Sequence, residues 1–167
     1  PIAGIFPFDV TDPQDPEWSR LVADTYKHCV FRGMGLWSGW CITWAAILHS
    51  REGNGRMAEH LLHLYASAFT NEGYNSVHDA NFAGVSLIGA PPPTGNEPNP
   101  APERMQLDAC MAATTAVQEM LLSTVRGVNR VFGGIPDTWR DVSFDGMRTA
   151  GAFLLGATRA DGVTTEV

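Results

Sequence analysis

The sequence predicts a mainly α-helical chain that ends in a β-rich part. Two observations carry that expectation. Apolar residues recur at helical spacing through most of the chain up to Thr124, and from Val128 onward short β-rich runs alternate with Gly-Gly and Asp-Gly pairs. Helices followed by strands point to α+β or to two parts, with residues 1–126 helical and 127–167 β. At 167 residues the whole is about the size of one domain and long enough to bury a sizeable core.

The first helix starts at Asp15-Pro16-Glu17, which has the order N-cap, N1, N2, and Trp18, Leu21, Val22, Cys29 and Val30 then fall near one stripe up to Phe31. That pattern predicts an amphipathic outer helix. The segment Trp37 to Ser50 carries Trp37, Trp40, Trp44 and Leu48 on one side and Ile42, Ala45, Ala46 and Ile47 around the rest, and a helix apolar nearly all round is buried. Gly53-Asn54-Gly55 breaks the chain before Arg56 to Phe69 resumes helical spacing through Met57, Leu61, Leu64, Tyr65 and Ala68. The alternation is outer, inner, outer.

Residues 89–103 hold six of the eleven prolines, which fix φ and remove donors and so predict a long loop. Leu107 to Thr124 reads as a further helix whose Ala and Thr residues let a neighbouring helix or a ligand come close, which suits an inner helix. The strands are expected at Val128 to Phe132, Val142 to Phe144, Ala152 to Thr158 and Val163 to Val167, with turns at Gly133-Gly134, Asp145-Gly146 and Asp161-Gly162. No strand closes the set after Val167, so the β part is expected to be truncated.

With 11 basic against 18 acidic residues, a net charge of -7 and no Lys/Arg cluster, the chain lacks the concentrated positive field that a nucleic acid partner needs. The longest strongly apolar stretch, Leu36 to Leu48, is shorter than the roughly 18 residues of a membrane span. Cys29, Cys41 and Cys110 are too scattered for a disulfide framework, and no C-x-x-C pair is present. The chain opens on Pro1 with neither an initiator Met nor a signal region, so a processed start or one further upstream is expected. Export is left open.

His60 and His63 share a helix face but lack the H-E-x-x-H arrangement and a third ligand, so a solvated face is the expectation. Gly33-Met34-Gly35 follows a helix instead of a strand, which removes a dinucleotide loop, and Cys41 within an apolar helix is expected to be inert. Asp108 stands out as an acid in the first turn of an otherwise apolar helix, where the helix N-terminus favours a carboxylate and hence a general base; a simple N-cap fits the spacing equally. Glu119 shares its stripe, but eleven residues at ~1.5 Å each separate them by roughly 16 Å, beyond the ~5 to 9.5 Å of paired glycosidase carboxyls. Trp37, Trp40 and Trp44 are candidates to pave a sugar subsite, Trp40 beside Gly39 being the one expected to face a cleft, with Asn81 and Gln106 as polar contacts; a core tryptophan stripe is the commoner outcome.

Taken together, Ile5-Phe6-Pro7, Arg32-Gly33 through Gly39-Trp40 to Trp44, Arg56 through Leu61-Leu62, Gln106-Leu107-Asp108, Glu119-Met120-Leu121-Leu122, Ile135-Pro136-Asp137-Thr138-Trp139 and Gly146-Met147-Arg148 resemble, in order, landmarks of the C-terminal half of glycoside hydrolase family 95. That is the family of α-L-fucosidases and α-L-galactosidases. The resemblance implies the last helices of an (α/α)6 barrel followed by the start of a β-sandwich. It implies inverting hydrolysis of a terminal α-linked L-fucose-like sugar in an oligosaccharide or glycan. Asp108 matches the family's general base, whereas Ala109-Cys110 stands where the family usually has Gly-Asn. The general acid and the assisting asparagines would come from barrel residues N-terminal to this chain. No metal or organic cofactor is implied. A catalytically silent carbohydrate-binding or assembly module of the same shape, or another (α/α) barrel glycosidase, is the alternative.

Overall fold

A computed structural model describes residues 2–35, 37–78 and 104–167. Among them the order is α1 (Ile2–Ile5), α2 (Pro16–Arg32), α3 (Gly39–Arg51), α4 (Gly55–Ala68) and α5 (Leu107–Leu121), then β1 (Leu122–Val125), β2 (Val128–Val131), β3 (Val142–Arg148), β4 (Leu154–Ala160) and β5 (Val163–Glu166). The chain is thus mixed, helices first and strands last. The strands form two small antiparallel sheets, β1-β2 and β3-β4-β5. The Pro-rich stretch 89–103 and Asn81 lie outside the described residues.

The expected helix starts are built by local caps. Asp15 Oδ1 accepts the Glu17 N–H at 2.9 Å, and Asn54 Oδ1 accepts the Met57 N–H at 3.3 Å. Each satisfies a donor that the first turn leaves without an intrahelical partner. The Asn54 cap opens α4 on Gly55, and no larger residue fits there: a Cβ would overlap the Ile135 carbonyl and Pro136 N.

The helices pack in two directions. α3 and α5 run parallel, because their first turns meet through Gly39 and Ala109 and their last turns meet through Arg51 and Glu119. α2 runs against α3: Gln14, just ahead of α2, donates to the Arg51 carbonyl at 2.9 Å, and Tyr26 lies 5.1 Å from the His49 ring. α4 also runs back, from Ile135 beside the α3 and α5 C-termini to Phe69, whose carbonyl accepts the Val77 N–H at 2.8 Å near Gly39. The result is a parallel pair, α3 and α5, with each connecting helix antiparallel to it. Between α3, α4 and α5 lies a core that includes Ile42, Ile47, Phe69 and Ala116. Complete burial of side chains such as Ile42 and Ile47 is worth about 1.5 to 3 kcal/mol each. A second cluster, Ile5, Val22 and Leu48, joins α1 and α2 to α3.

The structure moves several boundaries: α3 starts at Gly39 and not at Trp37, β3 runs on from Phe144 to Arg148, and β4 spans Leu154–Ala160 in place of Ala152 to Thr158. The helix expected to run to Thr124 ends at Leu121, and Leu122–Val125 becomes β1, paired with β2 from Leu122↔Val131 to Val125↔Val128. Thr124 and Val125 are β-branched and stiff at χ1, and pairing with β2 overrides the apolar helical period. The hairpin closes on Arg126-Gly127, both at positive φ (50° and 80°) as a type I′ turn requires. Asp145-Gly146, expected as a turn, lies inside β3, where the register shifts between Phe144 and Met147. Gly146 at φ 64° supplies the left-handed residue of a β-bulge. Asp161-Gly162 does form the expected two-residue turn, at φ 50° and 81°. No helix among the described residues is long and apolar enough to cross a membrane.

Candidate functional site

The first turns of the parallel helices α3 and α5 form one rim, and Gln106 holds it together. Its N–H donates to the Ser76 carbonyl at 3.0 Å, its Oε1 accepts the Trp40 N–H at 2.8 Å, and its Nε2 donates to Ser38 Oγ at 3.3 Å. Ser38, the N-cap residue of α3, makes no side-chain cap of its own. The Gln106 side chain, 9% exposed, therefore caps α3 from the start of α5. Its amide is committed to the protein, so the polar contact expected of Gln106 is first of all a contact within the fold. Gly39 completes the joint, since a Cβ there would stand 2.9 Å from the Val77 carbonyl oxygen and 3.4 Å from Ala109 Cβ.

This bracket sets Asp108 and Trp40 on the same rim. Asp108 is exposed in the first turn of α5 and makes no hydrogen bond or ion pair among the described residues. Its carboxylate is thus open to solvent, and it does not act as the N-cap, a position Gln106 occupies without capping α5 through its side chain. Trp40 is half-buried and stacks on Trp44, with ring centroids 6.1 Å apart and planes at 17°. Trp44 is tied down by its Nε1–H to the Phe6 carbonyl at 3.1 Å. Trp37 is half-buried too and lines a groove between α2 and α3 with Trp44. His78 and Arg104, which flank the stretch 79–103, meet at the same rim through a 2.7 Å backbone bond.

Glu119 lies at the opposite end of α5, as its spacing from Asp108 requires. It grips Arg51 with two bonds, Arg51 Nε to Glu119 Oε2 at 2.8 Å and Nη2 to Oε1 at 3.0 Å. Arg51 Nη1 also donates to the Ile5 carbonyl at 2.8 Å and pairs with Asp9, and its guanidinium lies 4.9 Å from the Phe6 ring centroid. Burial opposes the charge on Arg51, but Glu119 and Asp9 outweigh it and hold the guanidinium firmly protonated. A charged side chain this deep is stable only because every face of it is paired. This cluster borders a polar cavity of about 690 Å³ that Thr124, Arg148 and Thr149 help to line. Sequence reasoning missed it. The available signal was a single arginine closing an otherwise apolar helix.

His60 and His63 are both exposed on α4, and no group of three or more metal-ligating side chains occurs among the described residues. Cys41 is half-buried, 3.6 Å from Ser38 Oγ. No protein-family model matches the sequence. No curated protein matches it.

Proposed function

We propose that this chain is part of a glycoside hydrolase of the family 95 type, which removes a terminal α-linked L-fucose-like sugar with inversion, with Asp108 as general base and Trp40 beside the sugar. The observation that carries the reading is the joint built by Gln106, which brings an exposed carboxylate, unpaired among the described residues, and a half-buried tryptophan to one rim. A carboxylate with no protein partner is free to take a proton from water, and an indole face suits the C–H face of a pyranose. The parallel pair α3 and α5, each reached through an antiparallel helix, is also what an inner and outer alternation in an (α/α)6 barrel requires. On this reading the general acid and its assisting asparagines come from barrel helices N-terminal to these residues, and the strands begin a sandwich.

Nuclear magnetic resonance of the released sugar tests it: inversion delivers the β anomer first. First appearance of the α anomer, with mutarotation following, overturns it. One observation favours the rival, a silent carbohydrate-binding module. Ala109 is fully buried in the α3 contact and Cys110 is exposed, so neither places an amide beside Asp108 as the family's Gly-Asn would. The rival binds the sugar and turns over nothing.

A further inference from the structure

The three-stranded sheet carries an arginine without a partner. Arg159 on β4 stands opposite Val142, one step from the pair Phe144↔Ala157, so it shares the sheet face that packs through Phe144 on Phe132, with ring centroids 5.5 Å apart. On that face it is half-buried, its Nε is sealed from solvent, and its guanidinium makes no hydrogen bond or ion pair among the described residues. A cation drawn out of water without a partner is costly, and a counter-charge that reaches it removes part of that cost. The turn between β4 and β5 leaves room for one. Gly162 closes that turn at φ 81°, and the point where a Cβ would sit lies 3.8 Å from Arg159 Nη2 and 3.8 Å from Arg140 Nη1. Apart from Gly162 and its chain neighbours, no heavy atom is nearer to that point. Arg140 uses only Nη2, which donates to the Asp161 carbonyl at 3.0 Å and lies 3.6 Å from Asp161 Oδ1, so Nη1 has no partner among the described residues. Two guanidiniums thus border one small open space. The carboxylates of the same turn are Asp161, 93% exposed, and Asp141, whose Oδ1 accepts the Asp161 N–H at 2.9 Å; neither forms an ion pair with Arg159.

We propose that the notch above Gly162 binds a tetrahedral oxyanion, phosphate or sulfate, free or as a monoester, bridged by Arg140 and Arg159. Two cations bordering one space favour a dianion over a carboxylate, and the N–O distance of a charge-assisted bond, about 2.7 to 2.9 Å, is reached when each flexible side chain moves by about one ångström. The site shares no residue with the Asp108 rim and does not depend on the glycosidase reading. Its test is a titration of the full isotope-labelled chain with inorganic phosphate, read by nuclear magnetic resonance at the Gly162 amide, whose N–H donates to the Arg140 carbonyl at 2.9 Å. Gly73, set between Asn71 and Asn75, is the internal reference. The expected result is a saturable shift at Gly162 with half-saturation at about 1 mM, and none at Gly73 or with potassium chloride at equal ionic strength. Acetate should need about tenfold more than phosphate, and Arg159→Gln and Arg140→Gln should each raise the phosphate half-saturation about tenfold. Asp161→Asn, which keeps a residue tolerant of positive φ, should lower it about threefold by removing a competing carboxylate. Phenyl phosphate separates the sources: its binding points to an esterified ligand and binding of the free ion alone to inorganic anion, both within the proposal. Arg140 is exposed and Arg159 has no bond to lose, so the variants should keep the fold, and the chloride and acetate arms need only the wild type. The proposal is overturned if the phosphate shift does not saturate below roughly 100 mM, the scale of simple screening, or if chloride reproduces it. It is equally overturned if acetate matches phosphate, if Gly73 shifts alike, or if Arg159→Gln leaves the half-saturation unchanged.

Discussion

Gln106 and Asp108 stand two residues apart and have opposite roles in the structure. Gln106 is inside, with both ends of its amide used, so Gln106→Leu strands the Trp40 N–H and the Ser38 hydroxyl at the buried start of α3. The loss should be about 2 kcal/mol, the combined scale of a missing helix cap and an unmet buried donor, and a denaturant melt measures it. Asp108 was legible as a distinctive residue because a lone acid at the head of an apolar helix breaks the local pattern. The role of Gln106 was not, because its partner Trp40 is 66 positions away and no local period records such a bond. The same holds for Arg51 and Glu119, 68 positions apart. Their charges were visible in the sequence and their pairing was not. Trp37 and Trp40, read as a possible sugar platform on one helix, are both half-buried, but Trp37 lies ahead of α3, which starts at Gly39, so the sequence period placed only Trp40 on that helix.

At the scale of elements, the helix starts were legible wherever the cap is local, as at Asp15 and Asn54. The end of α5 was not. Leu122–Val125 continues an apolar helical period, and only the pairing with Val128–Val131 turns it into a strand. Asp145-Gly146 failed for a related reason, since an Asp-Gly pair serves a bulge as well as a hairpin turn. Glycines separate by what surrounds them. Gly33 sits at φ 71° with open space around it, so Gly33→Ala should cost only about 1 kcal/mol of backbone strain. Gly55 holds the start of α4 against the Ile135 carbonyl, where an added Cβ meets backbone that cannot yield. Gly55→Ala should cost about 3 kcal/mol, the upper range for overpacking, and paired thermal melts of the two variants test the contrast.

At the scale of the molecule, the order of helices then strands was legible. The parallel pairing of α3 with α5 was not, because it rests on contacts at both ends of each helix. The tie between the N-terminal segment and the strands was equally hidden. Asp12 receives both Arg130 Nη atoms, at 3.1 and 2.5 Å, across 118 positions. Burial raises the Asp12 carboxyl, but the bonds from Arg130 and from the Gln14 N–H outweigh it and hold the group below its ordinary range. A carboxyl lowered in the folded state stabilises the fold above its unfolded value of ~3.9 and loses that contribution as the pH falls through the folded value. Asp12→Asn should therefore cost about 2 kcal/mol at pH 7 and flatten the loss of stability below about pH 4, as read from urea melts along a pH series.

The central claim is that the exposed carboxylate of Asp108 does chemistry. Its most direct test is hydrolysis of aryl α-L-fucoside and α-L-galactoside by the polypeptide that carries this chain with the barrel complete, wild type beside Asp108→Asn. An exposed surface side chain contributes little to stability, so the two proteins should melt within about 0.5 kcal/mol of each other. The predicted result is cleavage of one of the two sugars by the wild type and a loss of several orders of magnitude in the folded variant. Equal rates in the two proteins, or no cleavage by either, would contradict it.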